Sequence, residues 1–213
     1  MGTVIKADGT ISNPKLGKII SLQLLTSESC TRGTKTDLTG STTDVYNGGA
    51  VYSWVGSSGQ FALTSLGLTN EQTTGAGTSY LDMPLIKDVA VSYEAGGQGP
   101  ELIIDLRRVR TGDNYCYRLN MNSGRFAIQR RGVAGSVNNG SFITSAALNP
   151  GDKVYASVKG GKITVYVNGV IILDFDDSAD TELQRAGTIA ISKASTATGT
   201  QTYIKNLQIF ALS

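Results

Sequence analysis

The stretch from Gly151 to Phe175, GDKVYASVKGGKITVYVNGVIILDF, limits what this chain can fold into more than any other part of it. Val154, Ala156 and Val158 alternate with Tyr155, Ser157 and Lys159, the period-2 pattern of a strand with one buried face. Gly160-Gly161 supplies a two-residue connection that needs positive φ, and Ile163, Val165 and Val167 alternate again as far as Asn168-Gly169. Asn-Gly between alternating segments is a strong hairpin signal, because both residues enter the left-handed region at low cost and the resulting turn matches the strand twist. Val170–Phe175 forms a third strand. Consecutive antiparallel strands with tight turns predict an all-β domain that presents a sheet surface, not a parallel sheet around a nucleotide crevice.

From Leu38 onward the same reading gives short strands at Ala50–Val55 and Gln60–Leu66, a polar loop over Leu68–Gly77, and a strand at Asp88–Glu94 that ends at Gly96–Pro100. Further strands follow at Glu101–Arg110, Tyr115–Met121, Arg125–Arg131, Ser141–Ala147, Thr188–Ser192 and Thr202–Leu212, with one weak helical segment at Asp177–Gln184. About a dozen short strands predict two packed antiparallel sheets, a jelly-roll sandwich. A length of 213 residues suffices for one such domain, and 26 glycines suit its many turns. Residues 1–37 have a different texture and are expected to form an N-terminal arm or docking segment, with Asp8-Gly9 closing a small hairpin between Val4-Ile5 and Ile11. The alternative is an ordinary first strand of the same domain, which otherwise spans residues 38–213.

Charge and composition exclude several function classes. The net charge of +2, from 19 basic and 17 acidic residues, demands no polyanion, so no nucleic-acid partner is expected. No apolar run approaches the roughly 18 residues needed to span a bilayer. The run Lys18–Leu25 is too short and lacks signal-peptide flanks, so neither membrane insertion nor secretion is expected. Cys30 and Cys116 follow no metal-ligand spacing and read as two free thiols, with a disulfide as the alternative.

The absence of histidine removes Ser-His-Asp and Cys-His catalysis. Glycoside hydrolysis uses two carboxyl groups about 5–9.5 Å apart. Glu101 and Asp105 share a strand face, but four residues of strand separate them by roughly 13 Å. No enzymatic activity is therefore expected. Asp174, Asp176, Asp177 and Asp180 lack the central Gly and closing Glu of an EF-hand loop and read as a solvated acidic turn, so no metal or other cofactor is expected. Arg107, Arg108 and Arg110, and Arg130 with Arg131, read as charges guarding strand ends, with a phosphate or acidic-glycan site as the alternative. Trp54 reads as core.

Strand parity sorts the side chains into two sets. Tyr117, Leu119, Phe126, Ile128, Val154, Val158, Ile163, Val165 and Val167 fall on core parities. The opposite parities carry Asp105, Arg107, Arg118, Asn120, Gln129, Arg131, Tyr155 and Tyr166. A face that mixes aromatic rings with amide, guanidinium and carboxylate groups suits sugars, whose C–H faces pack on rings and whose hydroxyls take hydrogen bonds. The expected glycan-binding set is Asp105, Arg107, Arg118, Asn120, Gln129, Tyr155 and Tyr166.

The order YRLNMNSGRFAIQRR, the VKGGKITVYVNG hairpin, the Asp-rich loop, AGTIAI and YIKNLQIF resembles the concanavalin A-like (laminin-G-like) jelly-roll superfamily over roughly residues 100–210. That resemblance implies the jelly-roll fold, which hosts lectins, glycosidases and adhesive modules alike. The hydrolase branch carries a Glu-x-Asp-x-x-Glu strand that has no match here. The chain's size and its Gly/Ser/Thr-rich turns are also similar to small virion proteins of tailed bacteriophages. The resulting expectation is a non-enzymatic virion subunit of the tail or capsid surface, localised in the particle. It docks other virion proteins through residues 1–37, or self-associates, and meets host-surface glycan with its jelly roll. The alternatives are a stand-alone carbohydrate-binding module or a glycoside hydrolase.

Overall fold

In the computed structural model, residues 4–5, 10–12, 20–71, 75–97, 101–109, 115–122, 125–132, 141–179, 181–193 and 202–213 are described, with side chains from Leu22 onward except 141–146 and 182. The strands are, in chain order, β1 (Val4–Ile5), β2 (Thr10–Ser12), β3 (Ile20–Glu28), β4 (Thr36–Asp37), β5 (Ser53–Gly56), β6 (Phe61–Leu63), β7 (Leu68–Asn70), β8 (Gly77–Asp82) and β9 (Val89–Gly97). They continue as β10 (Leu102–Arg108), β11 (Cys116–Asn122), β12 (Arg125–Arg131), β13 (Ser141–Ala146), β14 (Lys153–Lys159), β15 (Lys162–Val167), β16 (Val170–Asp176), β17 (Thr188–Lys193) and β18 (Tyr203–Leu212). The expected helical segment reduces to a 3-10 turn at Glu182–Gln184.

Two antiparallel sheets result. The larger runs β1-β2-β3-β18-β9-β14-β15-β16, with β7, β6 and β4 attached through β18, and the smaller runs β13-β12-β11-β10-β17-β8-β5. The chain crosses between them after β4, β5, β7, β8, β9, β13, β16 and β17, as a jelly roll requires. The hairpins form at the expected turns, with Val158 opposite Ile163 and Val167 opposite Val170. Gly160, Asn168 and Gly169 take positive φ at +57°, +51° and +78°.

Alternation along each strand gives each sheet an inward apolar face. Val89, Val91, Tyr93, Val154, Val158, Ile163 and Val165 from the larger sheet pack on Leu102, Ile104, Leu106, Tyr117, Leu119, Phe126 and Ile128 from the smaller. Val167 is half-buried against the same cluster. Trp54 is fully buried. A ring of that size removes roughly 200 Å² from water, an upper value of about 5 kcal/mol.

Several expectations change in the structure. The segment read as a polar loop at Leu68–Gly77 contains β7, and β8 begins at its end; β7 is wholly buried despite Thr69 and Asn70. Thr69 satisfies its hydroxyl on the Thr202 carbonyl at 2.8 Å, and Asn70 donates to the Glu101 carbonyl at 2.6 Å. Strand β9 continues through Gly96 and Gly97 instead of breaking there, because the Tyr203 ring lies on Gly96. A Cβ at Gly96 would stand 1.6 Å from that ring, so the glycine makes room for a close approach and not for a turn. Arg107 and Arg108 lie on β10, a central strand, and not at an exposed end.

The stretch expected as an arm is partly built into the sandwich. β1 and β2 pair as Val4 with Ser12 and Ile5 with Ile11. Residues 8–9 lie outside the described residues. β3 pairs with β18 along most of its length, from Leu22–Leu212 to Glu28–Leu207. Cys30 and Cys116 are both buried free thiols, and burial pushes the Cys116 pKa up to about 12. Among the described residues no helix is long and apolar enough to cross a membrane.

Candidate functional site

Register places the outward side chains of the smaller sheet in rows that cross it. One row reads Val55 (β5), Tyr80 (β8), Ala190 (β17), Asp105 (β10), Arg118 (β11) and Gln129 (β12). The next reads Thr78, Ser192, Ile103, Asn120 and Ala127. Strands spaced about 4.8 Å apart put Tyr80 roughly 10 Å from Asp105 and roughly 19 Å from Gln129 along the row. Ala190 and Ala127 are the small members of these rows, and both are fully buried.

Asp105 organises the face and is fully buried although it points away from the core. Its Oδ1 lies 2.9 Å from Arg118 Nε, its Oδ2 accepts from the Ser192 hydroxyl at 2.6 Å, and an Arg108 guanidinium nitrogen stands at 3.6 Å. Burial opposes the charges of Arg118 and Arg108, but Asp105 together with Cys116, and with Tyr80 for Arg108, outweighs it and both pKa values lie above the ordinary arginine value. Asn120, also buried, donates through Nδ2 to Glu101 Oε1 at 2.8 Å and to Gln129 Oε1 at 3.4 Å. Its Oδ1 is buried with no hydrogen-bond partner among the described residues. Glu101, Arg118, Asn120, Arg125, Gln129, Arg130 and Arg131 line a depression of about 230 Å³.

Four of the expected binding residues, Asp105, Arg118, Asn120 and Gln129, therefore meet on one face. The other three do not join them. Tyr155 and Tyr166 sit opposite each other on β14 and β15, on the outer face of the larger sheet and so on the far side of the sandwich. Their rings meet edge to face at 5.8 Å, beside Phe210, Leu22 and Leu212 in a second apolar cluster. The groove there, about 710 Å³, is also lined by Tyr46, Ser92, Glu94 and Gln208.

Arg107 belongs to neither face. The ladder slips between Asp105 and Arg108, and Arg107 takes φ +58°. This bulge turns its side chain inward across the sandwich, against the parity expectation. The guanidinium donates to the carbonyls of Gly160 (2.7 Å), Leu183 (3.1 Å) and Val158 (3.2 Å) and pairs with Asp88 at 3.1 Å. Arg107 is a tie between the sheets, not a ligand contact.

In the acidic turn Asp174 and Asp176 are exposed to solvent, as expected, and only Asp177 is buried. Asp174 pairs with Lys162 at 2.9 Å, Asp176 accepts from the Ser178 backbone, and buried Asp177 takes Arg130 and the Tyr117 hydroxyl. Asp180 lies outside the described residues, as does Arg110. Among the described residues no group of three His, Cys, Asp or Glu side chains could hold a metal ion. Sequence reasoning missed Tyr80, Ser192 and Arg125. The alternation Thr78, Tyr80, Asp82 against Ser79 and Leu81 carried the signal for Tyr80, hidden by the Gly- and Thr-rich lead-in.

No protein-family model and no curated protein matches the sequence. Solved structures do. β-Agarase A from Zobellia galactanivorans aligns at 12% identity over 95% of this chain and 96% of its own, with a TM-score of 0.58. A Bacillus subtilis protein of unknown function with a galectin-like fold aligns at 10% identity over 91% and 98%, with a TM-score of 0.54. The carbohydrate-binding module CBM66 from Bacillus subtilis aligns at 12% identity over 72% and 92%, with a TM-score of 0.53. These neighbours give no support to a virion role or to assembly through residues 1–37. By fold the chain is a jelly-roll β-sandwich of the concanavalin A-like kind.

Proposed function

We propose that this chain is a non-catalytic carbohydrate-binding module that holds a glycan across the outer face of the smaller sheet. The row Tyr80–Ala190–Asp105–Arg118–Gln129 carries the reading. It sets an aromatic ring at one end, ordered hydrogen-bonding groups at the other and a small residue between, over a span suited to more than one sugar ring. Asp105 holds Arg118 and Arg108 in place before any ligand arrives, which lowers the ordering cost of binding. Two of the structural neighbours, a carbohydrate-binding module and an agarase, support the same ligand class.

Binding without catalysis is favoured by how the carboxylates are used. Asp105 is sealed under two guanidiniums and a hydroxyl, which leaves it no access to a sugar C1. Glu101 already accepts from Asn120.

The test is an array of polysaccharides and oligosaccharides probed with the full chain, with reducing-end release assayed in parallel. Retention on a glycan that falls about twentyfold or more in Asn120→Ala/Gln129→Ala, at about 1 kcal/mol per lost hydrogen bond, supports the reading. No retention on any glycan overturns it. Reducing-end release that disappears in Glu101→Gln makes the chain an enzyme.

A further inference from the structure

We propose that the glycan held on this face is acidic, with separate carboxylate or sulfate groups lying against Arg131 and against Arg125 and its hydroxyls against Asn120, Gln129 and Glu101. This rests on the proposed glycan-binding role of the same face and names its ligand class.

The charges on the face do not balance. Arg108, Arg118, Arg125 and Arg131 stand against Glu101 and Asp105, and Asp105 is already shared by Arg118 and Arg108. Among the described residues no carboxylate pairs with Arg125 or Arg131. Arg125 and Arg131 sit on β12 with outward parity, flanking Gln129 and the buried Ala127, and both line the depression. Arg131 is half-buried. Burial, and then the like charges of Arg118 and Arg108, lower its pKa by more than the charge of Asp105 raises it. A guanidinium in that setting gains from an anion, and its planar fork matches a carboxylate or sulfate edge with two parallel hydrogen bonds.

The neutral groups decide between an acidic sugar and a bare polyanion. Asn120 Oδ1 is a buried acceptor that lacks a partner among the described residues, and Glu101 adds a carboxylate to the same depression. Asn120 Oδ1 needs a hydroxyl or amide hydrogen, which a sugar supplies and a phosphate chain does not. A polyphosphate would instead meet Glu101 with like charge. At about 230 Å³ the depression is smaller than the roughly 300–1,000 Å³ of a complete small-molecule pocket, so it receives one residue of a longer chain.

The experiment measures affinity of the full chain for a polyuronate, a sulfated galactan, a neutral galactan, a neutral β-glucan, polyphosphate and single-stranded DNA at two salt concentrations. The expected result is tighter binding of the polyuronate or the sulfated galactan than of either neutral glycan, weakened by salt. Arg131→Gln and Arg125→Gln should each lower that affinity about tenfold, within the range for a hydrogen bond to a charged group. Arg131→Lys should restore part of it, and an unchanged melting temperature shows that the variants fold. Binding of neutral glycans alone, indifferent to Arg131→Gln, overturns the inference and leaves the glycan-binding role standing. Equal binding of polyphosphate or DNA overturns the acidic-sugar assignment in favour of a general polyanion. No binding of any glycan overturns both readings.

Discussion

Asp105 and Arg118 face each other directly across β10 and β11, with Oδ1 and Nε 2.9 Å apart and both side chains buried on a sheet face that points away from the core. The pair is the centre of a polar layer laid over one side of the sandwich. Because Arg108 shares the same carboxylate, one acid restrains two guanidiniums.

Asp105→Ala should therefore destabilise the domain by about 3–5 kcal/mol, since it leaves Arg118 and Arg108 buried without a counter-charge. Urea unfolding would measure this. The triple variant Asp105→Leu/Arg118→Met/Arg108→Met should recover a large part of the loss, because the cost lies mainly in the two stranded charges. A loss under 1 kcal/mol for the single variant would mean that the face is wetter than its burial indicates.

Arg107→Met should lower stability by a comparable amount and leave glycan affinity at low temperature unchanged. The variant strands the Gly160, Val158 and Leu183 carbonyls inside the sandwich but alters nothing on the outer face. Thermal unfolding and a binding isotherm on the same sample separate the two effects. Loss of affinity without loss of stability would return Arg107 to the ligand-binding set.

Tyr80→Ala and Tyr166→Ala distinguish the two faces. Removing the Tyr80 ring should weaken glycan binding by about fivefold, at about 1 kcal/mol for a ring contact, while Tyr166→Ala should leave binding intact and cost stability through its packing with Tyr155 and Phe210. The reverse pattern would move the site to the groove on the larger sheet.

Asp44 gives a pH-dependent test of the loop after β3. Burial raises its pKa, but hydrogen bonds from the Ser29 hydroxyl and backbone, one from the Tyr46 backbone, and the Arg32 charge outweigh it, so the folded-state value lies below the ordinary 3.8. A carboxyl with a depressed folded-state pKa stabilises fully above its unfolded value and loses that contribution as pH falls through the folded one. Asp44→Asn should thus melt at lower temperature than the parent at pH 7, and the gap should close as pH is taken below about 3.8. A gap that stays constant with pH would mean that the ion pair contributes nothing.

Period-2 alternation made most of the strands from β9 to β18 legible, because on strands such as β9, β14 and β15 the apolar residues of the core-facing side recur at every second position. The Gly160-Gly161 and Asn168-Gly169 turns followed from backbone sterics alone. Strands β7 and β8 were not legible, because Thr69, Asn70 and Thr78 carry no apolar alternation and are accommodated by partners more than a hundred residues away or across a crossover, Thr202 and Glu101 among them. Gly96 looked like a breaker and is a contact surface for Tyr203.

Parity along single strands determined which residues leave the core, and so placed Asp105, Arg118, Asn120 and Gln129 on the same side of their strands. Parity does not say which sheet a strand joins. Only the tertiary crossovers separated Tyr155 and Tyr166 from that set, because β14 and β15 return to the larger sheet and carry the two rings to the opposite surface. Only the bulge at Arg107 reversed its direction, since one slipped residue moves a side chain from one face of a sheet to the other. The sequence by itself determined the fold class and the outward polar set, which depend on local alternation and turn chemistry. The structure decided which of those residues share a surface, which depends on long-range pairing that no local pattern encodes.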